Sequence, residues 1–171
     1  SPTKENPVGH MGDFKDSAWV EYIIKNINEN KIELTCIGGL PWFFESIKNK
    51  IKVIGWINSF SYHIAVLGEN AHFGIMPLVP NNFNVGKSNL KFLEFSAAKI
   101  VAFGTYFKEG YHGYQGPYHD MPVKMDYKCT VKEIENAVEF YSQPENYNRI
   151  IEAQLKYLDN NGHWLESPKW V

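Results

Sequence analysis

At 171 residues, with 44% hydrophobic and 15% aromatic content, the chain is long enough for one buried core and too apolar to be disordered. Its net charge of -2, from 17 basic and 19 acidic residues, lacks the basic excess of a general nucleic-acid binder. Two distant cysteines, Cys36 and Cys129, make neither a disulfide framework nor a zinc pattern, and they point to a reducing, cytoplasmic setting.

Apolar runs alternate with amphipathic ones along the chain. Val8 to Met11 reads as short and extended, closed by Gly12. Asp16 to Asn30 is predicted helical, with Trp19, Ile23 and Ile27 on one stripe. Ile32 to Ile37 is predicted as a buried strand that takes Cys36 inside and ends at Gly38-Gly39. A short helix, Trp42 to Lys48, a strand, Ile51 to Ile54, and a helix, Ser59 to Leu67, follow. His72 to Met76 is a strand stopped by Pro77. A polar loop, Val79 to Val85, leads to a long helix, Gly86 to Lys99, and then to the strand Ile100 to Phe103. Tyr106 to Met121 reads as a loop, and Met125 marks a short sixth strand. Two helices finish the chain. Val131 to Tyr141 turns Ile134, Ala137 or Val138, and Tyr141 inward, and Tyr147 to Asp159 does so with Ile151, Leu155 and Leu158.

Strand and helix alternation with near-continuous apolar strands implies a parallel sheet covered on both faces. The expected fold is one α/β domain over residues 1–171, a Rossmann-like three-layer sandwich. No apolar run of about 18 residues predicts a membrane span, and no export signal is apparent. Ser1 reads as the start of a cut-out domain or a processed chain. Sheets of this kind bind ligands outside the carboxyl ends of their strands. That rule selects the loops 9–16, 38–42, 55–59, 77–88 and 104–119.

The most informative stretch runs from Pro77 to Ala97. It sets a polar loop at a strand end and then a helix start carrying Lys87 and Ser88. Unsatisfied N–H groups and a partial positive charge collect at such a helix end, so with Lys87 it suits a diphosphate. Glu94, two turns further in, has the chemistry to accept both hydroxyls of a ribose. Gly86-Lys87-Ser88 mimics the end of a phosphate-binding Walker loop, but the glycine that motif needs is Asn81 here.

The stretch resembles the donor-binding motif of group 1 and related glycosyltransferases of the GT-B fold. The resemblance rests on Pro77, Leu78, Phe83, Asn84, Lys87, Ser88, Lys91, Leu93, Glu94, Phe95 and Ala97. It implies that the chain is the donor-binding half of a GT-B enzyme. Its substrate is then a nucleotide diphosphate-sugar, and the acceptor sits on an N-terminal domain or partner subunit. Glu94 is then the ribose ligand, with Asn84, Lys87 and Ser88 near the donor phosphates and sugar. Gly9, Gly12 and Lys15 are candidate diphosphate contacts, and His10 is either an acid/base or phosphate residue or a structural histidine. Gly39 and Trp56 end strands that flank the nucleobase, where Trp56 either stacks on the base or caps the core.

The resemblance further implies that His163 to Val171 crosses to the partner domain, and that any peripheral membrane attachment belongs to that domain. The chain departs from the pattern at Gly86, where many retaining members carry a second glutamate. That departure leaves a non-catalytic binding module as an alternative, and an epimerase of the same fold as another. No Asp-x-Asp pair occurs, so metal-independent transfer is expected, with lysines and the helix end neutralising the leaving diphosphate. Lys91 reads as solvated or ion-paired, and His63 and His72 read as core histidines. His112, His119 and Asp120 lack a metal-ligand spacing.

Overall fold

Residues 14–58 and 69–161 are described by the computed structural model of this chain. The expected segments Val8–Met11, Ser59–Leu67 and His163–Val171 lie outside the described residues. Helix α1, Ala18–Asn28, starts where the Ser17 hydroxyl accepts the Trp19 amide at 3.2 Å. That bond satisfies one of the first-turn N–H groups that no helical carbonyl reaches. The Trp19, Ile23 and Ile27 stripe is buried, as its spacing predicts.

Strand β1, Thr35–Ile37, pairs in parallel with β2, Lys52–Ile54, and a 3-10 helix, Trp42–Lys50, joins them. A second parallel sheet holds β3, Phe73–Met76, then β4, Val101–Tyr106, then β5, Lys124–Asp126. Between β3 and β4 the chain forms α2, Asn82–Val85, and α3, Leu90–Ala97. Helices α4, Val131–Ser142, and α5, Pro144–Asn161, close the described chain. Thr130 and Glu133 form a capping box at the start of α4, with bonds of 3.2 and 2.7 Å. The described residues are thus mixed α/β with two small parallel sheets. None of their helices is long and apolar enough to cross a membrane.

The helix expected over Gly86–Lys99 is shorter than predicted, and α2 forms inside what reads as a polar loop. Asn81 supplies the cause. Its side-chain oxygen accepts the Asn84 N–H at 2.7 Å, which nucleates a helical turn before Gly86. At the far end Lys99 takes a left-handed φ of 56°, which stops α3. Two tight contacts depend on glycine. A Cβ at Gly74 would meet the Phe95 ring at 2.8 Å, and one at Gly104 would meet Tyr118 Cβ at 2.7 Å. The absent side chains let α3 approach β3, and let Tyr118 lie across β4.

Strand β4 is the centre of the larger sheet, and its first five residues are all buried. Val101 and Phe103 join one core with α1 and α4, while Ala102 joins another with Phe92 and Leu93 of α3. The Val101 N–H bonds to the His72 carbonyl on the β3 side, so the Ala102 N–H points the other way. There β5 pairs only with Gly104 to Tyr106. Gln154 of α5, fully buried, fills the gap. Its Oε1 accepts the Ala102 N–H at 2.9 Å, and its Nε2 donates to the Ile100 carbonyl at 2.8 Å. One side-chain amide thereby takes the place of a peptide group in the ladder. Nearby, the Tyr147 hydroxyl donates to the His72 carbonyl at 2.9 Å.

Gln154→Leu preserves bulk but strands a donor and an acceptor in the core. It should destabilise the protein by about 2–6 kcal/mol, since each unpaired buried group costs about 1–3 kcal/mol. Urea unfolding measures this, and a loss under about 1 kcal/mol would show that water replaces the amide.

Candidate functional site

A cavity of about 490 Å³ opens between β1 and β3. That volume lies in the range of small-molecule sites. Thr35, Cys36 and Ile37 line it from β1, and Ile75 and Met76 from β3. Beyond the carboxyl ends of these strands, Gly39 and Pro41 continue one wall. Pro77, Leu78, Lys87, Ser88, Leu90 and Lys91 continue the other. Phe14, Ile23, Leu34, Phe44 and Tyr118 also line it. The result is an apolar slot with its cations at one end.

The backbone explains how the cations come together. The Lys87 N–H bonds to the Asn84 carbonyl at 3.2 Å, so Lys87 leaves the last turn of α2 rather than opening α3. Lys91 stands in the first turn of α3, whose N-cap Asn89 makes no side-chain cap. Lys87 Nζ lies 5.0 Å from the centre of the exposed Phe83 ring, a cation–π contact. Burial lowers the Lys87 pKa from its ordinary value of 10.5, and repulsion from Lys91 lowers it further. Burial also raises the Cys36 thiol pKa. Cys36, expected to be inside, is only half-buried because β1 is short and borders the cavity.

Of the residues selected from sequence, the fold brings Gly39, Lys87 and Ser88 to one cavity. Gly9, His10 and Gly12 lie outside the described residues. Lys15 is exposed and is not part of the lining, although its neighbour Phe14 is. Trp56 is 90% exposed beyond β2, so it does not cap the core. Asn84 is fully buried and holds its own loop, its Nδ2 donating to the Val79 carbonyl at 2.8 Å. It therefore shapes the wall from behind instead of touching a ligand, and its Oδ1 has no hydrogen-bond partner. Glu94 is half-buried on α3, one turn beyond Lys91, and does not line the cavity. Because α3 starts at Leu90, Glu94 is a little over one turn into the helix, not two.

Lys91 and Tyr118 line the cavity, and neither is singled out as a site residue by the motif reading. For Lys91 the signal was its place inside the Pro77 to Ala97 stretch, where it reads as solvated or ion-paired. Tyr118 belongs to the loop 104–119, which the strand-end rule selects. That loop is more ordered than expected. Tyr111 and Tyr114 pair across a two-residue turn, where His112 and Gly113 take φ of 51° and 78°. His72, expected in the core, is exposed at the start of β3. Among the described residues no group of three or more His, Cys, Asp or Glu is placed to hold a metal ion. No family model matches the chain, and no curated protein is significantly similar to it.

The lowered Lys87 pKa means that the folded chain binds fewer protons than the unfolded chain between the two values. Stability should therefore rise with pH across that interval, up to about 10.5. Lys91→Gln should move the Lys87 titration upward and flatten this rise, as followed by NMR of the lysine side chains. An unmoved Lys87 would show that the two cations are not coupled.

Proposed function

We propose that the cavity binds a nucleotide diphosphate-sugar, and that the chain is the donor-binding half of a GT-B glycosyltransferase. One observation carries this reading: Lys87, Ser88 and Lys91 meet at the carboxyl ends of parallel strands, at the cationic end of an apolar slot. Two ammonium groups that repel each other there gain from an anion between them, and the start of α3 adds partial positive charge. The apolar walls from β1 and β3 suit the base and ribose. Glu94, one turn along α3, reaches a ribose only if its side chain turns toward the cavity.

The finer fold belongs to the same proposal. A doubly wound sheet of order 3-2-1-4-5-6 has its ligand crevice at the point where strand order reverses. The two described sheets, both parallel, are compatible with such a fold. The completed domain is then a Rossmann-like three-layer sandwich. An acceptor-binding domain or partner subunit supplies the other side of the cleft, and the diphosphate is neutralised by lysines rather than by a metal. A cytoplasmic setting follows from the same reading.

Gly86 favours a second reading, a module that binds donor without transferring sugar, because the family's second glutamate has no counterpart here. A Cβ at Gly86 would meet only the Phe83 carbonyl, at 3.8 Å, and its φ of -83° suits any residue. Gly86→Glu should therefore fold with stability within about 0.5 kcal/mol of the parent. Turnover of radiolabelled donor by the full-length protein would support the enzyme, and nucleotide binding with no turnover of any donor would support the module.

The binding reading is tested with ADP, GDP, UDP and CDP. One of them at 100 times its dissociation constant should stabilise the fold by about 2.7 kcal/mol. It should also slow alkylation of Cys36 at the cavity wall and leave Cys129 untouched. Lys87→Ala should weaken that ligand about tenfold or more. If none of the four stabilises the protein or protects Cys36, the proposal fails.

A further inference from the structure

The lysine-bearing wall of the cavity is tied to α5 through a hydroxyl. Asn89 lies between Ser88 and Lys91, and residue type suits it to cap α3. Its side chain instead leaves the helix, and Nδ2 donates to the Tyr157 hydroxyl of α5 at 3.2 Å. Tyr157 in turn donates to Asp120 Oδ2, 3.4 Å away in the loop that follows β4. The Tyr157 ring packs edge-on against Phe92 of α3, with centroids 5.3 Å apart and planes at 89°. Phe92 is fully buried, so the ring position is fixed by the core. One side chain on a packed helix therefore ties the 86–89 connection to the loop that also carries Tyr118.

We infer that Tyr157 is a positioning residue for the cavity: its hydroxyl sets the path of the chain that presents Lys87 and Ser88. The physical reason is the nature of that stretch. Gly86 to Asn89 lies between two helices and belongs to neither, and Gly86 and Ser88 are exposed. Few contacts hold such a segment, so a tether through Asn89 restricts where the neighbouring ammonium group stands. Ligand affinity depends on such preorganisation, because ordering a loop at the moment of binding consumes interaction energy. The inference rests on the proposed nucleotide site for its ligand consequence, but not for its structural one.

The test uses Tyr157→Phe, which keeps the ring against Phe92 and removes only the hydroxyl. Asn89→Ala breaks the same bond from the other side and, since Asn89 does not cap α3, removes no helix cap. In the absence of ligand, both variants should move the Lys87 titration toward that of an ordinary lysine, as read by NMR. With whichever of ADP, GDP, UDP or CDP binds the parent, both should weaken the diphosphate at least fivefold. The matching nucleoside without phosphates should bind as before. Equal weakening of nucleoside and diphosphate would indicate general loosening and overturn the assignment, as would an unmoved Lys87 titration. If no nucleotide binds the parent while the Lys87 titration moves in both variants, the tether stands and the nucleotide site falls.

Discussion

Strand β4 must satisfy its backbone in a place water does not reach. Its first five residues are buried, and on one side of its first half no strand among the described residues accompanies it. An unpaired N–H or carbonyl there costs free energy comparable to a lost hydrogen bond. Gln154 resolves this with a single amide that donates and accepts as a peptide unit does. The consequence reaches beyond β4. Because Gln154 belongs to α5, the helix is registered against the sheet, and the Tyr147 hydroxyl on the same helix adds a second tie at the strand starts. Three residues after Gln154 comes Tyr157, so the register that completes the sheet also sets the hydroxyl that reaches Asn89.

The cavity follows from the same geometry. Within each sheet parallel pairing sends the strands toward one end, and residues that follow β1 and β3 line the same cavity. Lysines carried by the second loop are thereby brought to the rim of an apolar slot. In water two such ammonium groups would stay apart. Here backbone bonds at Asn84 and Asn89 fix their carriers, and burial removes part of the screening that would otherwise quiet their repulsion. Such an arrangement stores a preference for an anion before any anion arrives. That is the physical content of the donor-site proposal.

The fold was more legible than the site. The i, i+4, i+8 stripe of α1 and the apolar runs of β1 through β4 identify elements whose type the structure bears out, with ends displaced by a few residues. Thr130 and Glu133, three residues apart, form the capping box that starts α4. The misplacement of the helix start around Lys87 came from one side chain. Asn81 bonds forward to Asn84 and closes a helical turn where polar composition suggests a loop. That displacement alone moves Lys87 and Ser88 off the helix and brings Lys91 into its first turn. Asn84 shows the opposite difficulty. A polar residue inside a binding motif reads as a ligand contact, but burial turns it into the strut of its own loop.

What the sequence by itself determined was periodic: which segments are helices or strands, which faces turn inward, and that parallel strands separated by helices put the loops of interest at one end. Periodicity carries this because it is local, repeating over a few residues of one segment. What only the tertiary structure decided was which side chains meet. Gln154 and Ala102 are 52 residues apart, and Asn89 and Tyr157 are 68 apart. No pattern within a segment encodes such a pairing. It arises because closing the core fixes the register of α5 on the sheet, and that register selects which polar side chains of the helix, Tyr147, Gln154 and Tyr157, find partners across it.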